Sequence, residues 1–279
     1  METAERFNKI SDVYDETREP LTDEALDKAA LILSGEGYKR ILEVGVGTGR
    51  IARPLQRRGF NIVGADFSRG MLAKARQKGI DGLVMGDANH LPFVDKSFDG
   101  VLLAHVLHLL ESPTETFSKL ATAAKKGIIV FVRKRDASGG EGSSFAGDER
   151  GGIRQAFRKA AEEMGYSFPS RPGDWRERFR SETEFLSSHP PSELFTVQDV
   201  PVVTTVGERL AFFEKRAYGY PAHVPDDDFH KVMERVRSSV DLNKEVRYRR
   251  VEQMAIWRAM DAASLKFISS DAPTSTRGL

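Results

Sequence analysis

One turn limits the fold more than any other feature of the chain: Ile41-Leu42-Glu43-Val44 is a short strand, and Gly45-Val46-Gly47-Thr48-Gly49 follows it at once. Glycines placed where a buried strand becomes a helix let backbone N–H groups and a helix N-terminus approach a ligand closely. The strand-turn-helix pattern then repeats. Strands are predicted at Asn61 to Ala65, Gly82 to Met85, Phe98 to Ala104 and Gly127 to Val132, with helices at Ser68 to Lys78 and near Pro113 to Ala124. These strands are near-continuous apolar runs, as expected of a parallel sheet covered on both faces. The expected class is α/β, a doubly wound, mostly parallel sheet of seven strands.

Before the turn, Leu26, Ala29, Ala30 and Leu33 share one helix face, with Thr22 as the N-cap and Gly35 and Gly37 at the end. After Arg133 the rhythm breaks. Residues 136–152 are rich in Gly, Ser and charge and read as a mobile loop. From Ile153 to Ser188 helical stretches carry Phe157, Met164, Trp175, Phe179 and Phe185, and His189-Pro190-Pro191 closes them. A β-rich run from Leu194 to Thr205 follows. An amphipathic helix is predicted over Val224 to Val240, where Phe229, Val232, Met233 and Val236 share a face, and a last strand over Val246 to Met260. The expected organisation is 1–134 as N-terminal helices and ligand-binding core, 135–193 as loop and helical insertion, 194–262 as strands and helices completing the sheet, and 263–279 as a flexible tail.

Composition narrows the function. Lys plus Arg number 42 against 41 Asp plus Glu, so no net field draws the chain to nucleic acid or anionic lipid. With no cysteine, disulfides, thiolate metal sites and cysteine nucleophiles are excluded. The charged N-terminus lacks the apolar core of a signal peptide, which points to the cytoplasm. The most apolar stretch, Val101 to Leu110, is about half the length a bilayer span needs.

The glycine spacing is G-x-G-x-G. A dinucleotide turn would need a third glycine at the position of Arg50. Preceded by Glu43, the turn resembles the first motif of class I S-adenosylmethionine-dependent methyltransferases, and the likeness runs from about Phe7 to Val132. It looks most like the branch acting on small molecules, which includes ubiquinone and menaquinone biosynthesis methyltransferases. The resemblance implies a Rossmann-like fold with S-adenosylmethionine as cofactor. It implies a cofactor set of Glu43, Gly45, Val46, Gly47, Gly49, Asp66, Phe67, Met71, Asp87, Ala88 and His105. Glu43 would face the methionyl end, Asp66 the ribose hydroxyls and Asp87 the adenine amino group. By position alone Asp66 reads equally as a helix N-cap and Asp87 as a turn residue.

Methyl transfer from a sulfonium needs alignment and exclusion of water more than acid-base machinery. His105, directly after the fourth strand, is the candidate base where a substrate could meet the methyl group. The opening FNKISDVYDETR resembles the same branch, in which a Tyr-Asp pair leans over the cofactor, so Tyr14 is a candidate catalytic, cofactor or lid residue. Arg18 is a candidate lid residue, His108 reads as packing and His90 as a loop residue. Trp175, Phe179, Tyr218 and Tyr220, in or after the insertion, either wall an acceptor pocket or glue the insertion to the core. Arg171, Arg176 and Arg178 either bind a carboxylate or lie on a solvated face. The expected partner is a small-molecule methyl acceptor, with no nucleic acid, metal or membrane span, and a homodimer stays open. The competing readings are a silent cofactor-binding protein that regulates or assembles without turnover, and a nicotinamide-dependent oxidoreductase, against which Arg50 and Glu43 speak.

Overall fold

The computed structural model describes residues 2–134, 148–168, 184–215 and 224–258. The predicted mobile loop, Trp175, Phe179, Tyr218, Tyr220, Arg171, Arg176, Arg178 and the tail fall mostly or wholly outside them. The described elements are helix α1 (Glu2–Ile10), α2 (Asp23–Gly35), strand β1 (Arg40–Val44), α3 (Ala52–Arg57), β2 (Asn61–Asp66), α4 (Arg69–Gln77), β3 (Leu83–Met85), β4 (Phe98–Ala104), α5 (Pro113–Ala123), β5 (Ala124–Lys134), α6 (Asp148–Glu162), β6 (Glu193–Thr205), α7 (Val206–Glu214), α8 (Asp226–Ser239) and β7 (Glu245–Arg258). Among the described residues no helix is long and apolar enough to cross a membrane.

The strands form one seven-stranded sheet in the order β3-β2-β1-β4-β5-β7-β6. The ladders of β1 with β2 and β4, of β2 with β3 and of β4 with β5 are all parallel, as the apolar runs predicted. From β1 the chain moves outward to β2 and β3, then returns to lay β4 on the other side of β1. That reversal is the topological switch of a doubly wound sheet, where ligands bind beyond the carboxyl ends of the strands.

By their internal contacts the residues form two units. One comprises Leu26–Val132, Gly173–Phe195 and Met254–Leu279. Its core is built on strand residues Leu42, Val101, Leu103, Ile128 and Val130, all fully or almost fully buried. Phe117 from α5 meets Trp257 edge-on at 5.0 Å and lies 5.1 Å from Phe185. Trp257 Nε1 donates to the His189 carbonyl at 3.0 Å. Phe185, read from sequence as part of an insertion, thus packs in this core.

The second unit comprises Met1–Ala25, Arg133–Pro172 and Thr196–Gln253. Phe157 of α6 sits at its centre, 5.1 Å from Phe213 and 6.0 Å from Phe229. Val232, Met233 and Val236 of α8 complete that core on the face the periodicity predicted. Thr22 accepts from Ala25 N at 3.2 Å, the expected cap of α2. Helix α7 was not anticipated, although its signal is present: Thr205 accepts from Glu208 N and Glu208 accepts from Thr205 N, a reciprocal capping box. Replacing Thr205 by Ala is expected to cost about 1 kcal/mol, read as a lowered urea midpoint with unchanged slope.

Candidate functional site

The parallel register brings the three sequence-singled carboxylates to one edge of the sheet. Val44 pairs with Ala65 and Leu103, and Asp66 pairs with Met85. Glu43 is therefore the penultimate residue of β1, Asp66 ends β2, and Asp87 stands two residues past the end of β3.

The glycine turn divides its labour. Gly45 and Gly49 have positive φ and are walled in, since an added Cβ would stand 2.4 Å from Val106 Cγ1 and 2.3 Å from Ile80 Cδ1. Gly47 also has positive φ, at 54°, but faces open space: the nearest atom to such a Cβ is the Gly45 carbonyl oxygen at 4.0 Å. Packing thus holds the outer two glycines while the middle one presents bare backbone.

Glu43 is 1% exposed. Its carboxylate accepts a backbone hydrogen bond from Ala52, yet Oε2 has no hydrogen-bond partner among the described residues. Burial, and then the neighbouring Asp66, push the Glu43 carboxyl well above the usual carboxylate range. A buried carboxyl with one unmet oxygen is short of a hydrogen-bond partner, and a cationic donor there would favour its ionised form.

Asp66 clamps the turn. Its Oδ2 accepts from Gly47 N and its Oδ1 from Ser68 N, each at 2.8 Å. Burial raises its carboxyl, against the lowering effect of the Ser68, Gly47 and Phe67 N–H groups. Helix α4 is capped by Ser68, whose Oγ accepts from Met71 N at 3.2 Å, so the N-cap reading belongs to Ser68 rather than Asp66. Ser68 is the residue sequence reasoning passed over.

Asp87 is exposed. It closes an Asx turn by accepting from Asn89 N at 2.9 Å, with His90 Nδ1 at 3.5 Å from its Oδ2. Asn89 in turn accepts from Thr116 Oγ1 at 2.7 Å, which ties the loop to α5. Ala88 packs partly against the core. Phe67 leaves a third of its surface open beside Asp66, whereas Val46 and Met71 are buried.

His105 follows β4 with φ 58°, a left-handed backbone uncommon for a residue with a side chain. Its N–H donates to the Phe131 carbonyl at 3.2 Å, which turns the chain sharply at the switch point. His108 lies in a short 3-10 turn, Leu107–Leu109. Tyr14 belongs to the other unit, where its ring meets Phe7 edge-on at 6.2 Å and carries the Arg18 guanidinium at 4.7 Å.

A family model described as "Methyltransferase domain" matches residues 42–132. Demethylmenaquinone methyltransferase of Renibacterium salmoninarum is 33% identical over 137 residues, 47% of this chain and 57% of that one. Phosphatidylethanolamine N-methyltransferase of Cereibacter sphaeroides is 31% identical over 139 residues, 47% of this chain and 68% of the relative. The chain belongs to the class I S-adenosylmethionine-dependent methyltransferases. It spans little more than half the length of the first of these curated relatives. A solved S-adenosylmethionine-dependent methyltransferase from Mesorhizobium loti is 29% identical, with 39% of this chain and 55% of that one covered at a TM-score of 0.33. For a class I methyltransferase, the aligned stretch holds Glu43, the three glycines, Asp66, Asp87 and His105.

Proposed function

We propose that the chain transfers the methyl group of S-adenosylmethionine to a small-molecule acceptor by in-line displacement. One observation carries the reading: the buried Glu43 carboxyl, with an unmet oxygen, beside a glycine turn whose middle residue faces open space at the switch point. An ammonium group meets both needs of that carboxyl, since it brings a donor and an opposite charge. A pyrophosphate brings neither.

Bound S-adenosylmethionine supplies a sulfonium methyl that an acceptor nucleophile displaces in line, leaving S-adenosylhomocysteine. The chain's own residues bind and orient. Glu43 receives the ammonium, Gly47 lets the methionyl part lie against backbone, and Asp66 turns from holding the loop to accepting ribose hydroxyls. Asp87, pre-set by Asn89, has acceptor capacity left for the adenine amino group. His105, held in its left-handed turn, is the residue assigned to meet the acceptor. If the nucleophile carries a proton, His105 is the group suited to take it.

The reading is tested by calorimetry. S-adenosylmethionine and S-adenosylhomocysteine should bind and NADH should not, while Asp66→Ala and Asp87→Ala should each weaken binding by about 1 to 3 kcal/mol. Full affinity in both variants would remove these carboxylates from the site, and a preference for NADH would overturn the assignment. Acceptor-dependent formation of S-adenosylhomocysteine establishes turnover. Tight binding with no such product across a broad acceptor panel would instead make the chain a silent cofactor-binding protein.

A further inference from the structure

The second unit contains a cluster of charge that cofactor binding does not use. Arg133, directly after Val132 near the end of β5, donates from Nε to Glu252 Oε1 at 2.6 Å, and Glu252 is completely buried. Glu19, in the irregular stretch before α2, lies among the cations. It accepts from Tyr248, stands 3.4 Å from Arg250 Nη1 and 3.9 Å from Arg133 Nη1. Arg209 of α7 lies over the Tyr248 ring at 5.4 Å and acts electrostatically on the same carboxylate.

Among the described residues, three guanidinium groups thus face two carboxylates, which leaves the cluster with more cations than anions. Unmet donors also gather here. Arg209 Nε, Arg250 Nε and Gln198 Nε2 are buried with no hydrogen-bond partner among the described residues. Gln198 joins the group by strand geometry. Arg249 pairs with Asp199 and Gln253 reaches Thr196, so β6 and β7 run antiparallel, and Gln198 and Arg250, one step from the Arg249–Asp199 pair, turn together to the opposite face. Gln198 is also anchored next to Glu19, because its Oε1 accepts from Thr22 N at 2.8 Å.

The most exposed member of the cluster is Glu19, with 36% of its side chain open against 11% for Arg250 and 19% for Arg133. Burial alone would raise its carboxyl, yet Tyr248 and the three arginines hold it below the usual range. It also sits on irregular chain, outside any helix or strand.

We propose that Arg133, Arg209, Arg250 and Gln198 form a binding site for a small carboxylate, and that Glu19 occupies this site until the carboxylate displaces it. The site lies within the second unit and stands apart from the methyl-transfer reading above. An incoming carboxylate replaces the Glu19 charge one for one, and the planar fork of arginine suits carboxylate oxygens.

Sodium benzoate is the probe, with benzamide as its neutral counterpart and sodium chloride holding ionic strength constant. In the full chain, benzoate should shift the Nε–Hε resonances of Arg209 and Arg250 saturably, and benzamide should not. Arg250→Lys keeps the charge but loses the fork and should weaken benzoate by about tenfold, the loss of one charge-assisted hydrogen bond. Glu19→Gln removes the internal competitor and should tighten benzoate by about threefold or more. A network that serves structure alone would give no saturable shift in any of the three proteins, which overturns the proposal. So would an equal response to benzamide or to chloride, or a preference for methyl phosphate over benzoate. S-adenosylhomocysteine affinity, measured on the same proteins, should be unaltered in both variants. Its absence from the parent chain would count against the methyl-transfer reading and leave the anion result standing.

Discussion

Glu43→Gln is expected to raise the stability of the protein without cofactor while lowering its affinity for S-adenosylmethionine and S-adenosylhomocysteine. The two effects have one origin. Burial and the adjacent Asp66 raise the Glu43 carboxyl well above the usual range, so the folded chain holds a proton there that the unfolded chain gives up. Stability then falls as pH rises above the ordinary carboxylate pKa, because in that window the folded state binds more protons than the unfolded one. Glutamine has the same shape and nothing to titrate, so this part of the slope disappears. Urea midpoints should therefore favour the variant by more at about pH 8 than at about pH 5. The cofactor's ammonium works the other way. It stabilises the charged carboxylate, so binding should release a proton, visible as a dependence of calorimetric heat on buffer ionisation enthalpy. Glutamine cannot offer a charged acceptor, and affinity should drop by about 10- to 100-fold, the range for hydrogen bonds to charged groups. A variant that binds as tightly as the parent would show that Glu43 does not meet the ammonium, and one that is less stable at high pH would show that the carboxyl is not raised.

Gly47→Val should all but abolish cofactor binding in a protein that still folds. The backbone at Gly47 has φ 54°, where a β-branched residue is strained by about 1 to 3 kcal/mol. No neighbouring side chain lies in the way, so the fold absorbs that cost without a clash in its core. The added methyl groups would instead fill the open space in front of the turn, where the methionyl part of the cofactor is placed. The same substitution at Gly45 or Gly49 would be uninformative, because Val106 and Ile80 occupy the position of the new Cβ and the core itself would be disturbed. A Gly47→Val protein with cooperative unfolding and normal affinity for S-adenosylhomocysteine would move the cofactor site away from this turn.

Much of the first unit could be read in advance because its signals are local. A buried parallel strand is an unbroken apolar run, and each of β1 to β5 announced itself within a residue or two at most ends. The carboxyl-end placement of Glu43, Asp66 and Asp87 follows from that alternation alone, since the parallel strands of a doubly wound sheet end on the same side. Less legible was what each carboxylate does in the absence of ligand. Asp66 was expected to cap a helix or hold a ribose. It clasps the glycine turn through Gly47 N, a bond between residues nineteen apart in the chain that no local pattern encodes.

In the second unit the balance reverses. The amphipathic face of α8 was visible, but α7 went unseen despite the Thr205 and Glu208 pair, because a nine-residue helix after a long strand has little periodicity to display. The gathering of Glu19, Arg133, Gln198, Arg209, Tyr248 and Arg250 had no sequence signature at all. Their positions span more than two hundred residues, and each alone reads as an ordinary surface charge or polar residue. By itself the amino-acid sequence determined the α/β alternation, the glycine turn and the family to which they belong, since these depend on periodicity and on the absence of side chains at chosen points. Only the tertiary structure decided which carboxyl is buried with an unmet oxygen and which guanidinium groups share an acid, because burial and charge balance are properties of neighbours in space, brought together by strand register rather than by order along the chain.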